Sequence, residues 1–335
     1  MKKYIIDICY KNGGYTTMEY GLALSGGGAR GAYHAGVYRA INEMGLNIRT
    51  VTGTSIGAVT GALIAAGDGE RLQRLWGELS IKAITGSENP GIKLFGGCDL
   101  KYVYEIISQC VNEEKIRNSS IHFGFELLDG YKNVEVFVED IPNGRLAEYL
   151  TAAVCMPIFK PRRIDGRKLI DAGMGDNMPV DMLIYDGCKN IVASDDKGIG
   201  RLKKITKSDV NIIEVKYRKP EGGILDFSRG KTMKSAQHGY YDCRRAFGDI
   251  SGKLYCFENE DYMRAAHCFG TDMLDKIERA AAICRIDAMR IYSVDALVQH
   301  IADAYRKSKK IRNFILERKF NCIIKYIEKN YPNIL

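Results

Sequence analysis

The chain has 335 residues, a formal net charge of +8, 46% hydrophobic and 27% charged residues. This balance excludes a disordered chain, and the length holds one large α/β domain with an appendage, or two domains. No apolar run approaches the ~18 residues of a membrane span. The ten cysteines stand singly, with no Cys-x-x-Cys pair, so neither a disulfide scaffold nor a metal site is expected.

Residues 1–17 read as an N-terminal extension, either an extra strand or a tail, with Met18 as an alternative start. Lys2 and Lys3 precede an apolar stretch that Asp7 interrupts, which is not a secretory leader. Together with the scattered thiols, this gives the expectation of a cytoplasmic protein. Tyr20 to Ser25 predicts a buried strand. Tyr33, Val37, Ala40, Ile41 and Met44 then recur at helical spacing, and Gly45 closes that helix. Gly26-Gly27-Gly28-Ala29-Arg30-Gly31 is therefore a strand-to-helix turn whose amides point outward, as in anion sites at helix N-termini. A second such turn follows. Ile48 to Thr52 is a β-branched strand, Ala58 to Ala66 is a small apolar helix capped by Gly67, and Gly53-Thr54-Ser55-Ile56-Gly57 joins them.

Further on, Arg71 to Leu79 continues as helix, Ile84 to Asp99 is a glycine-rich loop suited to a lid or a substrate-facing segment, and Leu100 to Val111 is helical. Ile121 to Leu128 and Val134 to Val138 alternate as a hairpin joined at Asp129-Gly130. Lys168 to Asp171 is a short strand ending in a glycine turn, Asp171-Ala172-Gly173. Asn190 to Ala193 and Val210 to Val215 are strands, and Leu225 to Phe247 is a long helix. From Asp272 onward the pattern is helical only. Leu274, Ile277, Ala281 and Cys284 share one face, and Leu297, Ile301, Ala304, Ile311 and Ile315 continue at near-helical spacing. The architecture expected is α/β, a mainly parallel central sheet flanked by helices, with active loops at the strand C-terminal ends and a helical C-terminal extension.

Gly53-x-Ser55-x-Gly57 has the form of a nucleophile elbow, in which a tight turn lifts the serine Oγ clear of the backbone. The loop Gly26–Gly31 supplies amides for an oxyanion, and Asp171 can supply a base. Other readings of the same residues are weaker. Gly26-x-Gly28-x-x-Gly31 also fits a dinucleotide fingerprint, but Asn47 to Ser55 contains no acidic residue for a ribose. No Gly-Lys-Ser/Thr follows, which disfavours a P-loop. No cofactor is expected. Arg30 reads as a brace for its loop, with an electrophilic role as the alternative. Five histidines are present. His238 and His267 are the order-compatible partners for a Ser–Asp–His triad, although His238 reads as an ordinary polar helix residue, and His34 is expected to face solvent or the sheet edge.

Taken together, Gly-Gly-Gly-x-Arg-Gly, Gly-x-Ser-x-Gly and Asp-Ala-Gly resemble the motif set of the patatin-like phospholipases, here in the manner of a bacterial acyl hydrolase. Thr151 to Pro161 and Asn177 to Val180 are similar to the stretches that flank the family's aspartate. Gly239-Tyr240-Tyr241-Asp242 resembles a recurring feature of bacterial members. The resemblance covers roughly residues 20–190, with no departure at a motif position. It implies a Ser–Asp dyad of Ser55 and Asp171 without histidine, an oxyanion hole from Gly26, Gly27, Gly28, Ala29, Arg30 and Gly31, and a lipid ester as substrate. On this basis 18–190 is the catalytic core, 191–270 its continuation, and 271–335 a basic helical region. A catalytically idle lipid- or partner-binding protein of the same fold, and a Ser–His–Asp esterase, remain the alternatives.

From Arg306 to Leu335 there are nine Lys/Arg against two Glu. A solvated helix face accounts for this charge. Peripheral contact with an anionic membrane surface is the sharper alternative. No nucleic-acid module surrounds the tail, so no nucleic-acid partner is expected.

Overall fold

The computed structural model describes residues 8–11, 14–88, 97–204, 209–307, 325 and 329. It divides into two compact units, Met1–Cys243 and Arg244–Leu335, so the division falls ahead of the 270/271 boundary read from composition. The glycine-rich stretch at 89–96 and most of the basic tail, whose membrane contact was one expectation, lie outside the described residues.

The first unit begins with an antiparallel hairpin of β1 (Ile8–Lys11) and β2 (Gly14–Thr17), the strand alternative for the extension. Its centre is a seven-stranded sheet. The strands are β3 (Glu19–Leu24), β4 (Asn47–Thr54), β5 (His122–Asp129), β6 (Lys132–Phe137), β7 (Leu169–Asp171), β8 (Asn190–Asp195) and β9 (Asn211–Lys216). Their order is β6-β5-β4-β3-β8-β9, with β7 attached to β5. The run from β5 to β9 is parallel, and β6 and β7 are antiparallel to β5. Parallel strands covered on both faces read as continuous apolar runs, which is why β3 and β8 were visible without alternation.

The helices of this unit are α1 (Ala32–Glu43), α2 (Ile56–Ala65), α3 (Gly69–Glu78), α4 (Ile81–Thr85), α5 (Lys101–Cys110), α6 (Glu113–Arg117), α7 (Leu146–Ala153), α8 (Val180–Tyr185) and α9 (Arg229–Ala246). One face of the sheet packs Phe123, Phe125 and Leu127 of β5 against Ala58 and Ala62 of α2, Ile107 of α5 and Leu150 of α7. Ala23, Ile191 and Ala193 pack against Val180 and Leu183 of α8. Sequential βα connections place the loops of interest at one end of the sheet. The α4 turn takes the first residues of the expected Ile84 loop, and α9 starts four residues later than expected.

Gly239 belongs to α9 and meets α1 so closely that a Cβ there would lie 2.0 Å from the Tyr33 carbonyl oxygen. Asp242 accepts a hydrogen bond from the Tyr33 hydroxyl at 3.2 Å. The Gly-Tyr-Tyr-Asp stretch therefore joins two helices.

The second unit has its own core. Strands β10 (Ile250–Ser251), β11 (Cys256–Glu258) and β12 (Ile291–Tyr292) form a small sheet beside α10 (Asn259–Phe269), α11 (Thr271–Ile283) and α12 (Val294–Lys307). The helical faces of Leu274, Ile277, Ala281, Leu297 and Ile301 meet in one cluster. The expectation of helices alone after Asp272 is corrected by β12, a two-residue strand too short for periodicity to reveal, which pairs in parallel with β11. Buried Glu278 fixes the preceding turn by accepting the Lys253, Leu254 and Tyr255 amides.

Candidate active site

The site is built where β4 runs into α2. Thr54 is the last strand residue and Ile56 the first helical one, so Ser55 alone makes the turn, at φ 55° and ψ −126°. A non-glycine residue in this region is strained by roughly 1–3 kcal/mol. The turn closes only because its flanks lack side chains. A Cβ on Gly53 would lie 2.3 Å from the Gly57 carbonyl, and one on Gly57 would lie 2.4 Å from the Leu24 oxygen.

Strand register then brings Asp171 to Ser55. On one edge of β5, Glu126 pairs with Thr54, the end of β4. The next residue, Leu127, pairs with Val134 of β6 and with Asp171 of β7. Since β6 occupies the other edge, β7 must continue the edge that β4 has just left. The two strands approach head-on and stop together, one at Thr54 and the other at Asp171. The outcome is a direct hydrogen bond of 2.5 Å from Ser55 Oγ to Asp171 Oδ2. The Gly173 amide donates to the other carboxylate oxygen at 2.9 Å.

Burial pushes the Asp171 carboxyl up to about 6, against the bonds from Ser55 and Gly173, which favour the ionised form. Ala172, fully buried, anchors the turn. Cys155, whose carbonyl receives the Asp171 amide, is held as a neutral thiol because burial pushes it up to about 12.

The glycine loop lies against the elbow. A Cβ on Gly26 would sit 2.8 Å from Ser55 Cβ, and one on Gly31 would sit 2.6 Å from Ile56 Cγ2. The six loop positions are not equivalent as donors. The Gly26 amide is given to the Asn177 carbonyl, that of Ala29 to Ile224, and that of Arg30 to Gly27. Among the described residues, the Gly27 and Gly28 amides have no acceptor. Gly28, at φ 57°, lines the same cavity as Ser55. The Ile56 amide, in the first turn of α2, has no intrahelical partner either. Ile56 was not among the expected donors, although a donor directly after the nucleophile is part of the elbow geometry and was the signal available. Arg30 turns its guanidinium to the Gly222 carbonyl (2.7 Å) and the Lys197 carbonyl, which fits the brace reading.

The expectation for His34 is corrected. It is fully buried, with Nδ1 2.7 Å from Ser194 Oγ and Nε2 2.9 Å from the Ser25 carbonyl oxygen. Its ring also lies 3.6 Å from Asp196 Oδ2. Helical spacing assigned it a polar face because it could not reveal a polar pocket under the loop. Asp196 in turn receives Ser25 Oγ and the Gly198 amide, both at 2.9 Å. Its other oxygen stands where a Gly27 Cβ would be, 2.1 Å from that position. Burial raises the Asp196 carboxyl, against the pull of His34.

In front of Ser55 is an apolar cavity of about 70 Å³ lined by Ile56, Val59, Leu75, Ile107, Met156 and Phe159, among others. Larger clefts elsewhere do not include Ser55. Among the described residues, no histidine nitrogen bonds to Ser55 or Asp171. His122 engages Asp186 and Glu139, and His238 engages Glu221. No cluster of His, Cys, Asp and Glu suited to a metal occurs among the described residues.

Residues 22–184 match the family model described as patatin-like phospholipase. An uncharacterized NTE family protein of Mycobacterium tuberculosis is 29% identical over 168 residues, 50% of this chain and 46% of that protein. The patatin-like phospholipase domain-containing protein 6 of Homo sapiens is 31% identical over 194 residues, 52% of this chain and 13% of that protein. Neuropathy target esterase of Drosophila melanogaster is 30% identical over 199 residues, 54% of this chain and 13% of that protein. The matches thus span about half, or far less, of the relatives' length. Among solved structures, VipD from Legionella pneumophila aligns over 96% of this chain and 90% of its own, at 14% identity and a TM-score of 0.41.

Proposed function

Residues 22–184 belong to the patatin-like phospholipase family, and on that premise we propose that the chain is a lipid acyl hydrolase. It cleaves carboxylic esters of phospholipids or lysophospholipids by a Ser55–Asp171 dyad through an acyl-enzyme. The observation that carries this reading is the direct Ser55 Oγ–Asp171 Oδ2 bond, with no imidazole bonded to either residue among the described residues.

Ser55 Oγ attacks the acyl carbonyl carbon and its proton passes to Asp171 Oδ2. A carboxylate with an ordinary pKa is a feeble base for an alcohol. Raised to about 6 by burial, Asp171 is a stronger base yet still ionised at neutral pH. Negative charge develops on the carbonyl oxygen, where the unbonded amides of Gly27, Gly28 and Ile56 act as donors. Collapse of the tetrahedral intermediate breaks the ester C–O bond, and the departing alcohol takes the proton from Asp171. Water then attacks the acyl-enzyme, gives a proton to Asp171, and the acid leaves as Ser55 recovers its hydrogen. The apolar cavity favours an acyl chain at this position over a polar head group. In this proposal Gly53 and Gly57 shape the elbow, and Gly26, Ala29, Arg30, Gly31, Ala172 and Gly173 position the donors and the carboxylate.

The enzyme is proposed to work in the cytoplasm at a membrane surface. In support, the eight cysteines whose side chains are described are all free. Among the described residues no helix is long and apolar enough to cross a membrane.

The test is labelling by a serine-directed fluorophosphonate together with hydrolysis of a short-chain nitrophenyl ester. The expected result is that Ser55→Ala abolishes both while the fold is retained. Labelling that persists at another serine refutes the assignment. A parent protein that neither labels nor hydrolyses an ester favours the idle-scaffold alternative.

A further inference from the structure

Beside Asp171 the surface carries an arrangement that ester hydrolysis itself does not use. The turn after Asp171 is joined to the loop after β8 by two backbone bonds. Arg201 donates its amide to the Gly173 carbonyl at 2.9 Å, and Asn177 donates to the Arg201 carbonyl at 2.7 Å. From these joined loops three large apolar side chains project into solvent: Met174, Ile199 and Leu202, at 73%, 71% and 45% exposure. Scattered single exposures need no explanation. Three on adjoining loops next to a reactive centre do.

The segment that carries Ile199 and Leu202 bears charge of one sign. From Lys197 to Lys204 there are four cations and no carboxylate. Lys197 and Lys203 are paired with Asp195 and with Glu126 and Asp176. Arg201 and Lys204 are exposed and make no ion pair among the described residues. An ordinary solvated loop would have little reason to alternate bare isoleucine and leucine with unpaired cations. Apolar side chains that enter the acyl boundary, flanked by cations at head-group level, are the chemistry of an interfacial anchor.

We propose that Met174, Ile199 and Leu202, with Arg201 and Lys204, seat this protein on an anionic phospholipid bilayer and bring the Ser55 cavity to the lipid. The proposal rests on the lipid-hydrolase reading for its purpose, but its test does not depend on turnover. Both loops hold their backbone through internal bonds, so side-chain changes at the tips leave the Asp171 turn in place.

The experiment uses the full chain carrying Ser55→Ala, so that vesicles are not consumed. Co-sedimentation is measured with phosphatidylcholine vesicles and with phosphatidylcholine vesicles containing phosphatidylserine. The expected result is binding to the anionic vesicles that falls at least tenfold in Ile199→Ser/Leu202→Ser. In Lys204→Glu the preference for anionic over neutral vesicles shrinks by roughly fivefold or more. All variants should melt with the reference protein. Undiminished binding by both variants overturns the proposal and shifts the contact to another surface, the basic tail included. Equal binding to both vesicle types also overturns it. So does concentration-dependent self-association that Ile199→Ser/Leu202→Ser abolishes without any vesicle binding, since the occupant is then a second copy. Ester hydrolysis in the Ser55 background is scored separately. Its absence with intact vesicle binding refutes the proposed function and leaves the anchor standing.

Discussion

Replacing Asp171 by asparagine separates what the carboxylate does from what it costs. Burial lifts its pKa from 3.8 to about 6 in the folded protein. Because the folded value lies above the unfolded one, the native state holds the proton more tightly. Between about pH 4 and pH 6, stability therefore falls as pH rises, and above the folded value the penalty is complete and constant. A rise of this size corresponds to at most about 3 kcal/mol. Asp171 keeps some solvent access, so about half of that is a reasonable expectation. Asparagine preserves the geometry: Oδ1 still accepts the Gly173 amide, and Nδ2 donates to Ser55 Oγ. The neutral side chain escapes the desolvation cost at every pH. In a unit of this length 1 kcal/mol moves the melting temperature by roughly 2–4 °C.

Asp171→Asn should accordingly melt several degrees above the parent at pH 7.5, and the gap should close toward pH 4. Ester hydrolysis should fall at least ~100-fold. In the parent, kcat/KM should climb with pH through a value near 6 and then level off, as the base ionises. Scanning calorimetry from pH 4 to 8, with a nitrophenyl ester assay over the same range, measures all three quantities. A variant less stable than the parent at pH 7.5, or a stability gap indifferent to pH, would refute the claim that Asp171 is held as a strained, desolvated base.

Further outcomes follow from neighbouring residues. Gly28→Ala puts a side chain at φ 57° with its Cβ 2.2 Å from the Ile224 carbonyl oxygen. It should lower kcat by at least ~10-fold in esterase kinetics, whereas a change confined to KM would make the loop a binding surface only. His34→Ala removes the ring that bridges Ser25, Ser194 and Asp196, and should cost about 1–3 kcal/mol in urea unfolding. His238→Ala should leave ester hydrolysis within about twofold of the parent, since its partner is Glu221. A folded histidine variant as inactive as Ser55→Ala would favour the triad alternative. Lys203→Met leaves Glu126 and Asp176 facing each other without their cation. Burial already pushes Glu126 up to about 7. The variant should lose more stability at pH 8 than at pH 5, because only the ionised carboxylates miss the ammonium group; a melting loss independent of pH would count against that ion pair.

The elements that position the site were legible because each is local. A β-branched strand, a glycine-flanked serine and a small apolar helix follow one another within twenty residues, and the glycine loop repeats that grammar. The β5–β6 hairpin was read from alternation and an Asp-Gly turn, and its observed register, Asp129 opposite Lys132, agrees. What the sequence did not hold was long-range. That β7 continues the edge vacated by β4 is a consequence of pairing register, and no spacing between Ser55 and Asp171 could show it. The division of labour among the loop amides was hidden for the same reason, since Asn177 and Ile224 reach the loop from more than a hundred residues away. His34 misled because periodicity assigns a face and not a partner. The second unit's sheet escaped because its strands are two or three residues long, below any period.

The distribution of strain bears on whether this fold is idle. A binding scaffold needs a cavity, but it has no use for a serine held at positive φ, a carboxylate pushed to about 6, or amides without acceptors. Each is destabilising, and each has a cheap remedy: glycine at 55, asparagine at 171, or an acceptor side chain over Gly27 and Gly28. All three costs meet around Ser55, at the C-terminal end of β4. Two further buried carboxyls with raised pKa, Glu126 and Asp176, have a lysine and an asparagine around them as compensation. At Asp171 the compensating donors are Ser55 and one amide, so the residue that relieves the carboxylate is the one it would deprotonate. That coupling supports a hydrolase over an idle relative. The pH-resolved stability of Asp171→Asn decides whether the strain is real, and fluorophosphonate labelling of Ser55 decides whether it is put to chemical use.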